Sequence, residues 1–151
     1  MTRSEKAMAL FKEGYNCAQS VACAYADVMG LEQNTVAQMV SSIGGGVGMM
    51  REVCGTVSGM VFVLGTLKGY ADPKDSAAKS AHYANVQKLC KEFEAENGSI
   101  VCRTLLGLDS KEEVPAGTQR LSSCNKKRPC VELVGCAADI LERHLTEEGV
   151  L

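Results

Sequence analysis

A chain of 151 residues with a formal net charge of -2 is one domain's worth of sequence, long enough to bury a hydrophobic core of its own. The slight acidity, an aromatic content of 5% and the absence of tryptophan exclude the positive field and stacking platforms of a nucleic-acid binder. Eight cysteines fall short of the roughly 8 to 10% that marks a small secreted disulfide scaffold, so the thiols call for a chemical rather than a stapling role.

The N-terminal stretch has charges at Arg3, Glu5 and Lys6 and lacks the apolar core and small-residue cleavage site of a signal peptide, which makes the cytoplasm the expected location. Leu10, Gly14, Cys17, Val21, Ala24 and Val28 recur at helical spacing and predict one first helix from Arg3 to Met29, closed by Gly30. Asn34 and Thr35 can cap a second helix through about Ser42. The run Ile43-Gly44-Gly45-Gly46-Val47-Gly48 then breaks it.

A third helix is predicted from about Met50 to Lys68, apolar nearly all round. Gly55 and Gly59 lie four apart on one of its faces, where a second helix or a homodimer partner can approach closely. Its most apolar run, Val53 to Leu67, is shorter than the roughly 17 to 25 residues that span a bilayer, so no membrane span is expected. Asp72-Pro73 restarts the chain into a long amphipathic helix that stops at Asn97-Gly98. Ser99 caps a short helix, Ile100 to Leu106, closed by Gly107, and the polar stretch from Asp109 to Pro129 reads as a surface loop. The last helix runs from Cys130 to about Thr146, with Leu133, Val134, Ala137, Ile140 and Leu141 on one face. No run alternates with period two for long enough to argue a strand. The predicted fold is all-α, a single-domain bundle of about six helices spanning 1–151.

Neither a Cys-x2-Cys pair nor a His-x3-5-His pair is present, so a local zinc site is not indicated. Six steps along a helix turn a side chain by about 240° net, which sends Cys17 and Cys23, and likewise Cys130 and Cys136, to different sides. A thiol site must therefore be assembled from several helices. Cys54 has the strongest local case for reactivity: it falls in the expected first turn of the third helix, three residues after Arg51, where a depressed thiol pKa is expected. Cys130 is similar, opening the last helix directly after Lys126, Lys127, Arg128 and Pro129. Any single cysteine reads as readily as a small core residue, and Cys23, Cys90 and Cys136 keep that default. Cys124 lies in the loop, near Cys130 in sequence.

The glycine run lacks Gly-x-Gly-x-x-Gly and Gly-Lys-Ser/Thr and follows a helix rather than a strand, so nucleotide binding is not expected. Its glycines are expected to bring backbone close to another helix or to what Cys54 contacts. His82 and His144 are isolated and read as helix-surface residues, and Met49 and Met50 as gap fillers.

Five blocks together resemble a known family: Gly14 to Val21, Ile43 to Gly48, Cys54-Gly55-Thr56-Val57-Ser58-Gly59, Asn97 to Gly107, and Pro129-Cys130 leading into the last helix. The chain resembles the C_GCAxxG_C_C family of redox-active proteins over nearly its whole length. Thr56 stands where the family motif has alanine, adding a hydroxyl near Cys54. The resemblance implies a mostly helical protein in which Cys17, Cys54, Cys102 and Cys130 form a redox site, both as the reactive residues and as metal ligands. It implies an iron-sulfur cluster, because the family's domain is similar to the part of split-Soret cytochrome c that holds an iron-sulfur centre, and four thiolates suit the [2Fe-2S] type. The haem-attachment pattern Cys-x-x-Cys-His does not occur, so haem does not carry over. The implied partners are a redox protein or a transporter or oxidoreductase system. A metal-free thiol-disulfide protein, and a structural zinc or helical interaction module, are the alternative readings.

Overall fold

The structure, a computed structural model, describes residues 1–107 and 129–151. Thr2 opens it with a capping box, its hydroxyl accepting from the Glu5 N–H while Glu5 reaches back to the Thr2 N–H, and this starts α1, Arg3–Glu13. The helix stops at Gly14, whose φ of 113° no β-carbon residue adopts cheaply. Asn16 and Gln19 form a second capping box and start α2, Cys17–Cys23. After Tyr25 comes α3, Ala26–Met29, closed by Gly30. The single helix expected over Arg3 to Met29 is thus three pieces. The apolar periodicity persists across the breaks because all three pieces face one core, and that continuity hides the caps at Gly14 and Asn16.

The second expected helix is α4, Gln33–Met39, which begins after Glu32 with no side-chain cap, so Asn34 and Thr35 are inside it rather than in front of it. A 3-10 turn over Ser41–Ile43 follows. The third expected helix begins later than Met50. It is α5, Gly55–Lys68, with Cys54 at the N-cap. Asp75 rather than Asp72 caps α6, Ser76–Asn97, its carboxylate accepting from the Ala78 N–H at 2.9 Å, and Gly98 closes it. Then come α7, Cys102–Leu105, and, after the undescribed residues, α8, Cys130–Glu147. The loop expected from Asp109 onward, with Cys124, lies outside the described residues up to 128. The chain is all-α: among the described residues six helices have seven residues or more, and no strand is present beyond one antiparallel bridge between Val53 and Val101.

Helix α8 is the hub, packing on α1, α2, α5 and α6. It runs antiparallel to α1, with the Arg3 N–H donating to Glu142 at 2.9 Å and Gly135 lying against Ser4 and Met8. Leu133, Ile140, Leu141 and Leu145 are buried on its inner face, and α6 is anchored to the core by fully buried Leu89 and Phe93. Each such side chain contributes about 1.5–3 kcal/mol of burial. His144 is 3% exposed, not a surface residue, because the inner stripe of α8 extends through its last turn. His82 is half-buried, its Nδ1 enclosed.

The close approach expected at Gly55 and Gly59 is real but lies within the chain. A β-carbon on Gly59 would stand 2.7 Å from the Ala18 carbonyl oxygen, so α2 covers the face expected to hold a homodimer partner. Among the described residues no helix is long and apolar enough to cross a membrane.

Candidate functional site

The segment between the 3-10 turn and α5 has an unusual backbone. Gly45, Gly46 and Gly48 have φ values of 66°, 72° and 54°, and three residues with β-carbons share that left-handed region: Val47 at 68°, Met49 at 69° and Arg51 at 63°. Such conformations cost roughly 1–2 kcal/mol each outside glycine, and a β-branched valine is a true outlier there. The coil is held by its own hydrogen bonds, from the Gly48 N–H to the Ser42 carbonyl at 2.9 Å, Arg51 N–H to Gly45 at 3.1 Å and Glu52 N–H to Gly46 at 2.9 Å. Val47 and Met50 are exposed at 42% and 44%, so Met50 fills no gap in the core.

The chain leaving this coil is tied to the segment before α7. The Cys54 N–H donates to the Ile100 carbonyl at 2.8 Å and the Cys102 N–H to the Glu52 carbonyl at 2.6 Å, on either side of the Val53 and Val101 bridge. Two cysteines 48 positions apart in sequence are thereby fixed as neighbours. Cys17 arrives from the first turn of α2, packed on the start of α5. A β-carbon on Gly55 would be 2.5 Å from the Cys17 sulfur, and one on Gly46 would be 2.7 Å from the Cys102 β-carbon. Gly46 brings the glycine run against Cys102, as expected of that run, and Gly55 outside it does the same for Cys17.

Cys17, Cys54 and Cys102 are 5%, 5% and 7% exposed. Burial pushes the Cys54 thiol up to about 12, helped by the neighbouring Cys17 and Cys102, while the hydroxyl and N–H of Thr56 pull the other way. The depressed pKa expected at Cys54 is therefore overturned. The helix N-terminus does act on the sulfur, but in a site this dry desolvation of the thiolate outweighs it. Nor does Arg51 serve Cys54. It is 4% exposed, and its Nη1 donates instead to the Cys102 sulfur at 3.7 Å.

Cys130 is half-buried as the first residue of α8, behind Pro129, and is not among the groups that act most strongly on Cys54. The structure thus brings Cys17, Cys54 and Cys102 together. The remaining described cysteines lie in the core or at its edge. The buried Cys23 thiol donates to the Gln33 carbonyl at 3.5 Å and is pushed up to about 11 by burial. Cys90 is half-buried and raised for the same reason. Cys136 donates to the Glu96 carboxylate at 2.7 Å and accepts from the Asn97 amide at 3.4 Å, a polar contact between α8 and α6 that spacing alone did not reveal.

Among the described residues no group of three or more histidine, cysteine or acidic side chains has the arrangement of a metal site. The donor chemistry nevertheless suits one class of group. Three soft thiols are buried together, one of them in contact with a buried guanidinium whose Nε has no partner among the described residues, which fits a thiolate-ligated cofactor of net negative charge.

The family model described as "Putative redox-active protein (C_GCAxxG_C_C)" matches residues 15–144. No curated protein and no solved structure matches the chain.

Proposed function

The chain belongs to the C_GCAxxG_C_C family, and on that basis we propose that it is an electron-transfer protein in which Cys17, Cys54, Cys102 and Cys130 ligate an iron-sulfur cluster of the [2Fe-2S] type. The observation that supports this reading is the burial of three thiols, from α2, the N-cap of α5 and the start of α7, the last of them in contact with the buried Arg51 guanidinium. Cys130 supplies the fourth thiolate from the head of α8. Such a cluster takes up and releases one electron at a time. The glycines of the coil keep side chains out of the site, the burial of all three thiols keeps water away from it, and Thr56 donates to the Cys54 sulfur. The partner is a redox protein or a transporter or oxidoreductase system, and the setting is the reducing cytoplasm, where thiols persist.

Anaerobically purified protein is expected to contain iron and acid-labile sulfide and to absorb in the visible. Cys17→Ser and Cys102→Ser are expected to lose the colour while keeping their helical circular dichroism. Colourless wild-type protein that takes up no iron and sulfide on reconstitution refutes the cluster.

A metal-free reading is favoured by one observation, that the buried Cys17 and Cys102 stand close enough to the buried Cys54 to act on its thiol. In it Cys54 and one of these neighbours form a disulfide, giving up two electrons and two protons to a disulfide acceptor on the partner, which becomes a dithiol. It predicts a reversible loss of two titratable thiols on oxidation, with no metal.

A further inference from the structure

Among the described residues Arg51 is the buried cation in contact with a thiol of the site. Its backbone is held in the left-handed region at a φ of 63°, its N–H donates to the Gly45 carbonyl, and its own carbonyl accepts from the Arg103 N–H and guanidinium at 3.2 and 3.3 Å. The adjacent carboxylate, Glu52, is engaged by Arg103 at 3.0 Å. The Arg51 guanidinium is left buried with one long bond, Nη1 to the Cys102 sulfur, and a buried Nε–H without an acceptor among the described residues. A buried cation in this condition is costly unless negative charge stands beside it. Three hydrogen bonds to its main chain hold the Arg51 backbone in the left-handed conformation from which the side chain reaches Cys102.

We propose that Arg51 is the positioning and charge-balancing residue of the redox centre: its Nη1 and Nε donate to the negative charge that the centre carries, and it thereby favours the more reduced state. This rests on the reading of the site given above. When one electron from a one-electron donor such as dithionite enters, no bond forms or breaks and the centre becomes one unit more negative. A fixed cation in a dry pocket stabilises that state over the oxidised one. Replacing the charge lowers the reduction potential. A lysine, which keeps the charge but loses the planar fork of donors, restores part of it.

The test uses wild type, Arg51→Met and Arg51→Lys, reconstituted anaerobically with iron and sulfide and titrated with dithionite. Iron content and visible absorbance in wild type report on the cluster itself, and the midpoint potential reports on Arg51. Arg51→Met is expected to shift the ratio of reduced to oxidised protein at least tenfold toward oxidised, about 59 mV for one electron, with Arg51→Lys between it and wild type. A role confined to folding would lower the melting temperature of both redox states equally and leave the potential where it was, and that result overturns the proposal. If Arg51→Met does not fold, the comparison is made on Arg51→Lys, whose potential must then fall below that of wild type. If wild type takes up no iron, the cluster reading fails and Arg51 is judged on the thiol-disulfide equilibrium with glutathione. There two glutathione thiols become glutathione disulfide while a protein disulfide becomes one thiol, one thiolate and a released proton. A tenfold shift in that equilibrium, about 30 mV, sustains the role of Arg51, and no shift ends it.

Discussion

Gly55 lies so close to Cys17 that a β-carbon on it would stand 2.5 Å from the sulfur, with the Ile43 carbonyl oxygen at 2.9 Å on the other side. Neither neighbour is the loose end of a long side chain: one is a short buried thiol and the other is backbone. Gly55→Ala is therefore expected to displace Cys17 from Cys54 rather than be absorbed. The expected cost is about 1–3 kcal/mol of stability, the usual range for overpacking. Urea unfolding measures it, and faster alkylation of Cys17 in the folded variant shows that the thiol has been pushed out. A variant as stable as wild type with an unchanged Cys17 rate contradicts the packing described.

Thr56 holds the Cys54 thiol below where burial alone would put it. Thr56→Ala removes the hydroxyl and leaves the N–H, so the Cys54 pKa rises further and alkylation at a fixed alkaline pH slows. Loss of one such hydrogen bond in a buried site costs roughly 1 kcal/mol. Thr56→Ser keeps the hydroxyl and is expected to keep the wild-type rate. The rate of Cys54 alkylation against pH in the three proteins decides it, and equal profiles for alanine and serine remove the hydroxyl from the account.

Tyr25 ties the α2 to α3 corner to the hub helix. Its ring is fully buried, its hydroxyl donates to the Ala138 carbonyl at 2.6 Å, and the Arg3 guanidinium lies 5.3 Å from its centroid. Tyr25→Phe keeps the ring and the cation above it but loses the hydroxyl bond, at an expected cost of about 1 kcal/mol. A lower urea midpoint with an unchanged slope is the expected signature. No change would mean that the carbonyl needs no second donor.

The parts of this fold legible in the sequence are those set by local chemistry. Gly30 and Gly98 end helices because the left-handed residue that closes each is a glycine. The failures share a cause, a tertiary contact overriding a local pattern. Gly14 and Asn16 break what reads as one long helix, since an apolar stripe continues through them. The start of α5 slips from Met50 to Gly55 because Val47, Met49 and Arg51 adopt a conformation their residue types do not announce. The same slip hides the role of Arg51: three residues before Cys54 on a helix it would serve Cys54, whereas on a left-handed coil it turns to Cys102. His144 reads as surface from a helix-end rule, and only the packing of α8 shows it buried. The gathering of Cys17, Cys54 and Cys102 follows from motif blocks, while the bridge that joins two of them is a long-range pairing no local period encodes.

Alkaline stability tests the burial of the thiols directly. Cys54 and Cys23 are pushed up to about 12 and about 11 from an ordinary value of 9.0, in both cases chiefly by burial. Below the ordinary value, folded and unfolded chains both hold these protons and stability does not depend on the two groups. Above it the unfolded thiols ionise first. The unfolded state then binds fewer protons than the folded state, so stability falls as pH rises, until the folded thiols ionise in turn. Each thiol contributes a slope of up to about 1.4 kcal/mol per pH unit within its window. The buried Tyr25 hydroxyl, also raised by burial, adds to the loss in the same direction above its ordinary value of 10.0. Urea unfolding of reduced, metal-free protein is expected to give, above the carboxylate range in which Asp27 titrates, a flat profile up to about pH 9 and a steady decline beyond it. Cys54→Ala, by removing one of the ionising groups from both states, is expected to make that decline shallower. A wild-type profile that stays flat, or a Cys54→Ala profile as steep as wild type, would mean that the Cys54 sulfur is in contact with water and that the site is open.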